Sequence, residues 1–463
     1  MKLNTKKNLK EIKETISVLK ALHKDNPVNV DTPKNKKGKI SGMFKRNENR
    51  EFLLEFEDSS YSFNLEDIEN ISIDIAGYNL IIDRLLVTSI SLPRITGKFL
   101  NFYTKGFDKK TKYYFRLLIP IKKTKNVFFL IEDFVYETEM HTSRGCLKVG
   151  YKNVPIEIYT EKNDEDNYLI LETSKRLSLK QFSDYCYSTL VSFGYVTGTL
   201  FQDEGYYFSY DSPHLKHPIH INYRAFRKSI YTDYTPVYEN AHGYIRDSQL
   251  ANNVSPTLRP ISSFEFSKLC QWTYDSIDFL AILLLIIESC SSSLLVMPSG
   301  LSVALEGLTE LLIKNKGEQL LPIKDKKIAK KVRNEISKII KIYSSEIDSE
   351  GQKVLKSRVE NINQLTNRNK LIKPFELLGF TLSKEDIKAI EHRNDFLHGK
   401  TSLTMENNGD GNKEVYYVSL RIYTLLAVLI LKSIGFDNKI VNYPKINEDA
   451  YDKKLDEPHF RQI

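Results

Sequence analysis

Residues 383–399 read SKEDIKAIEHRNDFLHG, and the period of this stretch decides how the C-terminal half of the chain folds. Ser383 stands where an N-cap belongs, Asp386 completes an acidic variant of the capping box, and Leu382 with Ile387 takes the places of a hydrophobic staple. The pattern predicts a helix from Lys384 that nothing breaks before Gly399, a suitable C′ residue. At about 100° per residue, Ile387, Ile390 and Leu397 form one stripe, and Arg393, Asn394 and His398 fall inside the same sector of about 160°. A guanidinium, an amide and an imidazole therefore share the face that seeks burial. That arrangement is costly unless an anion or a protein partner compensates it. In the plainer alternative Arg393 reaches out to solvent at one edge and His398 caps the helix C-terminus.

Outward from this helix the period stays near 3.6. Residues 264–289, 302–313, 324–343, 352–365 and 415–433 read as further helices, with a polar loop over 400–413 that contains Gly409 and Gly411. Helices joined by short loops make a bundle. The apolar run 279–287 is flanked by Asp278 and Glu288 and is about half what a bilayer needs, so it reads as a buried core helix.

Before residue 262 the character changes. Residues 5–24 carry helical spacing at Leu9, Ile12, Ile16 and Leu19, followed by a polar linker over 25–39. Residues 51–57, 113–121, 127–131, 154–159 and 168–171 are short runs of aromatic and β-branched residues, the signature of strands. A helix over 179–195 precedes two more strands, 206–210 and 219–223, and residues 228–261, with Pro236, Pro256 and Pro260, read as an irregular connection. The expected fold class is α+β, with segments 1–37 (basic helix and linker), 38–227 (β-rich domain), 228–261 (connector) and 262–463 (helical domain).

The string R-N-x-x-x-H-G formed by Arg393, Asn394, His398 and Gly399 resembles the active motif of the HEPN superfamily. With a β-rich domain ahead of a helical one, the chain is most similar to the ApeA type of bacterial antiphage proteins. The likeness covers roughly residues 262–440 for the HEPN part and, more loosely, 38–225 for the N-terminal part. It implies metal-independent cleavage of RNA with His398 as general acid or base, Arg393 on the scissile phosphate, Asn394 as an orienting amide, and no cofactor. HEPN sites usually join two motifs across a helical interface, so a single motif implies a homodimer formed through this domain. A defence role further implies a phage-derived trigger sensed by the N-terminal domain, in the cytoplasm. The rival is a HEPN bundle that binds RNA or docks a partner without cutting.

Composition bounds these readings. The chain has 463 residues, 41% of them hydrophobic, enough for two or three domains. Its first fifty residues hold twelve Lys and two Arg against five acids, a net of +9 out of a total of +8, so the other 413 come to about −1. That basic segment, including the lysines of 34–39, reads as a solvated arm or as a contact for RNA phosphates. Residues 314–341 carry ten Lys or Arg against three acids. An RNA backbone could track Lys324, Lys327, Lys330, Lys331 and Lys338 there, although a solvated face shows the same pattern.

Cys146, Cys186, Cys270 and Cys290 lack any C-x-x-C spacing, so neither a zinc ribbon nor a disulfide framework is expected. His214, His217 and His220 alternate across an extended segment and do not converge on a metal. The N-terminal stretch has no signal-type apolar core, and no membrane partner is expected. Walker A, G-x-G-x-x-G and G-x-S-x-G strings are absent, which removes the usual signals of nucleotide hydrolysis, dinucleotide binding and one common hydrolase route.

Overall fold

The computed structural model describes residues 9–32, 39–58, 68–91, 93–121, 131, 146–163, 166–316, 321–397 and 409–463, with backbone alone at 9–11, 162, 163, 166, 315, 316 and 394–397. The expected strand over 127–131, all but its last residue, the lysines at 34, 36 and 37, and His398 with Gly399 lie outside the described residues.

The class is α+β, a β-rich unit and a helical unit, as composition and period require. Within the first unit, six antiparallel strands close on themselves. They are β1 (Asn26–Asp31), β2 (Ile40–Arg46), β3 (Phe52–Glu57), β4 (Ile68–Ile75), β5 (Tyr78–Ser91) and β6 (Arg94–Phe99), hydrogen-bonded in the order β4-β1-β2-β3-β6-β5 with β5 returning to β4. Closure works because alternate side chains point inward: Phe52, Leu54 and Phe56 of β3 are buried, and Phe44, Phe52 and Phe99 pack ring to ring. Space is tight enough that a Cβ on Gly97 would lie 2.6 Å from Leu85 Cγ.

The fourteen-residue β5 also pairs with β7 (Asn101–Thr104) and so extends the barrel into an open antiparallel sheet. Its further strands are β8 (Tyr114–Ile121), β9 (Cys146–Tyr151), β10 (Val154–Asn163), β11 (Asp166–Glu172), β13 (Glu204–Tyr210) and β14 (His220–Ala225), in the order β7-β14-β13-β8-β11-β10-β9. Two short strands, β12 (Thr199–Leu200) and β15 (Ile230–Tyr231), pair separately.

Two expectations for the N-terminal segment are corrected. Helix α1 (Leu9–His23) is no solvated arm: Ile12, Ile16, Leu19 and Leu22 are buried in the same core as the barrel. The expected linker over 25–39 contains β1, whose Val28 and Val30 face that core while Asn and Asp alternate outward. Beneath α1, the buried Arg116 donates from Nε to Glu172 at 2.8 Å and from Nη1 to Thr15 Oγ1 at 3.0 Å, and Tyr159 donates to the same carboxylate at 2.8 Å. Every charge in this network has a partner, which is what allows an ion pair this deep.

Helix α2 (Leu179–Thr197) opens on a capping box, Ser178 with Gln181, and ends at Gly198 in the left-handed region. The expected helix over 264–289 is two helices, α4 (Ser263–Asp275) and α5 (Ile277–Cys290), because Ser276 is extended and its hydroxyl accepts from Phe279 N. The break is also a boundary. Residues 260–275 belong to the first unit and 234–259 to the second, so the expected connector over 228–261 is no mere connection: its second part, with the short α3 (Ser248–Val254), packs into the helical unit. Gly150 N donates to Ser267 Oγ at 3.1 Å, Ser192 and Thr273 share a hydrogen bond of 2.9 Å, and Tyr185 stacks on Tyr274, so α4 is built into the first unit.

The helical unit comprises α5, α6 (Met297–Lys316), α7 (Lys326–Ile342), α8 (Ser349–Glu360), α9 (Asn367–Leu377), α10 (Lys384–Leu397) and α11 (Asp410–Ile434). A short α12 (Tyr443–Ile446) lies between β16 (Lys439–Val441) and β17 (Phe460–Gln462), which pair. Helix α11 is apolar and long enough to cross a membrane, but 89% of its most apolar window is buried inside the protein. It is the core helix, and α6 and α10 pack on it.

Candidate functional site

The capping box read from the sequence is present: Asp386 Oδ2 accepts from Ser383 N at 2.9 Å and Ser383 Oγ accepts from Asp386 N at 3.1 Å. Among the described side chains of α10, Asp386, Ala389, Ile390 and Arg393 are the buried ones, one face at spacings of three and four. Arg393 thus lies on the core side, as the sector argument required. The alternative in which it reaches out to solvent is excluded, since only 5% of the residue is exposed.

Glu306 of α6 accepts a hydrogen bond from Arg393 Nη1, and its own side chain is 44% exposed. The pair joins a buried cation to a half-open carboxylate. Arg393 Nε is buried with no hydrogen-bond partner among the described residues. A buried donor left over in this way is the exception in folded proteins, and Arg46 Nε and Arg421 Nε share it here.

The start of α10 is fixed by a second cluster. Asp386 receives both terminal nitrogens of Arg461, at 3.0 and 2.7 Å, and Arg421 Nη1 at 3.2 Å. Arg421 sits wholly buried in α11 and also meets Glu457 at 2.9 Å and Tyr417 OH at 2.9 Å. Burial alone would raise the Asp386 pKa, but the hydrogen bonds and charge of Arg461, with Arg421 behind it, hold it below the ordinary carboxylate value. The helix that carries the motif is therefore anchored at its first turn by charge and at its third by Glu306.

Asn394 belongs to α10, one residue past Arg393, and His398 falls just beyond the last described turn. Glu391, two residues before Arg393, accepts from Arg368 Nε of α9 at 2.8 Å. Lys324, Lys327, Lys330, Lys331 and Lys338 are all exposed. Lys324 borders a cavity of about 470 Å³ with Asn369, Lys373 and Glu376, and the other four stand on α7. The elongated lysine helix expected over 324–343 starts instead after the N-cap Asp325.

Sequence reasoning did not find Glu306, Arg421 or Arg461. Glu306 is 87 residues from its partner and carried no signal. Arg421 carried one: it is a cation in the middle of an apolar run, a place such a residue occupies only with partners.

In the first unit a half-buried histidine was also missed. His23 Nε2 shares a hydrogen bond of 2.9 Å with Tyr206 OH, which donates to Glu204 at 2.6 Å, and Glu204 is paired with Arg46. Burial, then Arg46 and Arg50, lower the His23 pKa to about 3, so the imidazole is neutral. No family model, curated protein or solved structure matches the chain.

Proposed function

We propose that the protein is a HEPN-type endoribonuclease of antiphage defence, acting in the cytoplasm without a metal and as a homodimer. In this reading a ribose 2′-hydroxyl attacks the adjacent phosphorus, the 5′-oxygen leaves, and a 2′,3′-cyclic phosphate remains. His398 accepts the 2′ proton or returns one to the departing oxygen, a task that suits an imidazole. Arg393 offers its Nε–H, the donor that Glu306 does not engage, to the charge that develops on the phosphate. Asn394 orients the imidazole or the phosphate, and the β-rich unit receives the trigger.

The observation that carries the proposal is Arg393 itself: buried on the core face of α10, held by Glu306, and keeping an Nε without an acceptor among the described residues. For two-copy assembly the support is exposed apolar side chains on and just ahead of α6, the helix that supplies Glu306: Val303 is exposed, as are Leu295 and Val296.

The Arg393–Glu306 pair also favours the rival, a non-catalytic module that binds RNA or docks a partner, since a carboxylate already neutralises the cation. One assay separates them. Purified protein is incubated with total cellular RNA in EDTA beside Arg393→Ala and His398→Ala. Cleavage to cyclic-phosphate ends by wild type alone supports the enzyme, and retained binding with no products supports the module.

A further inference from the structure

Among the described helices, α7 carries the largest contrast between two faces. Its seven cations, Lys326, Lys327, Lys330, Lys331, Arg333, Lys338 and Lys341, stand against one acid, Glu335. Placed at 100° per residue, the cations fill one side and Ile328, Val332, Ile336, Ile339, Ile342 and Tyr343 fill the other. Such a line ordinarily packs into a core. Here it does so only in part: Ala329 is buried, Val332, Ile336 and Ile340 are half-buried, and α8 packs against the helix. Ile328, Ile339 and Tyr343 are more than half exposed and Ile342 is 72% exposed. Lys327, Lys331 and Lys338 border this open edge, all exposed.

We infer that α7 docks on an anionic lipid surface, with Ile328, Ile339, Ile342 and Tyr343 in the acyl boundary and Lys327, Lys331 and Lys338 at the headgroups. The joint requirement for apolar contact and negative charge decides the occupant. An RNA backbone would use the lysines and leave the isoleucines in water. A second copy would bring two strongly cationic helices together over a strip of four side chains, far short of the roughly 800 Å² per partner of a standard interface. A bilayer carrying acidic headgroups accepts the isoleucines and neutralises the lysines at once, the arrangement of an interfacial amphipathic helix. This contact is peripheral, and it replaces the expectation that no membrane takes part. It is independent of the site at Arg393.

The experiment is co-sedimentation of the full-length protein with vesicles of phosphatidylcholine alone and with equimolar phosphatidylcholine and phosphatidylserine. Two double variants, Ile339→Ser with Ile342→Ser and Lys331→Gln with Lys338→Gln, are run beside it; all four positions are exposed, so the fold is spared. Wild type pellets with the mixed vesicles only, and each double variant binds them on the order of tenfold or more weakly. Three results overturn the proposal: no binding to mixed vesicles, binding that ignores the isoleucine changes and is competed by RNA, or a concentration-dependent oligomer that the isoleucine changes dissolve.

Discussion

Arg461, two residues before Ile463, grips Asp386 with both terminal guanidinium nitrogens, at 3.0 and 2.7 Å. Asp386 is the N3 residue of α10, so the strand β17 holds the helix that bears Arg393. Arg461→Ala leaves the carboxylate buried with Arg421 as its remaining cation, and a loss of about 3 kcal/mol is expected in urea unfolding. Because the folded Asp386 pKa is below the unfolded one, its ionised form contributes stability above about pH 4 that disappears as pH falls through the folded value. The deficit of Asp386→Asn should therefore be full at neutral pH and shrink in acid. A deficit that does not change with pH would mean the carboxylate's charge is irrelevant.

The Arg393–Glu306 pair is one-sided, and its two halves should behave differently. Glu306→Ala strands a guanidinium that is 6% exposed, at a cost of about 3 kcal/mol. Arg393→Met keeps the volume and leaves a carboxylate able to hydrate, at less than about 1.5 kcal/mol. The double variant should match Arg393→Met. Equal costs for the two single changes, by denaturant midpoint, would contradict this account.

His23 gives the fold an acid limb. Its pKa of about 3 in the folded chain lies below the ordinary 6.5, so the unfolded chain binds a proton first as pH falls. The contribution is complete above pH 6.5 and is lost between pH 6.5 and 3, by at most about 1.4 kcal/mol per pH unit. His23→Gln should flatten that part of the stability profile. An imidazole titrating near 6.5 in NMR spectra of the folded protein would remove the explanation.

Helix α1 supplies four buried apolar side chains to the barrel, each worth about 1.5–3 kcal/mol. Leu19→Ala is expected to cost about 2–5 kcal/mol, more than any exposed substitution on the same helix, such as Lys13→Ala. Comparable midpoints for the two would return α1 to the role of a loose arm.

The helices of the second unit were legible because period and caps agree, as at Ser383 and Asp386, where the predicted box is found. The barrel was not. Strands β4 and β5 contain Asp, Asn and Arg among their isoleucines, so alternation is diluted, and closure depends on pairing between distant strands. Helix α9 was hidden by Pro374 within it. At the candidate site, the burial of Arg393 was readable from one helix, whereas Glu306 and Arg461 depend on contacts spanning 87 and 75 residues. The exposure of the isoleucines of α7 was not legible, because period cannot tell which faces find a partner.

The return of α4 to the first unit sets an order for biogenesis. A nascent chain that has emerged only through residue 233 lacks Phe266, Leu269 and Cys270, which the finished unit buries. The β-rich half thus waits on the ribosome for some forty further residues, and through that interval its uncovered surface is a natural client for chaperones.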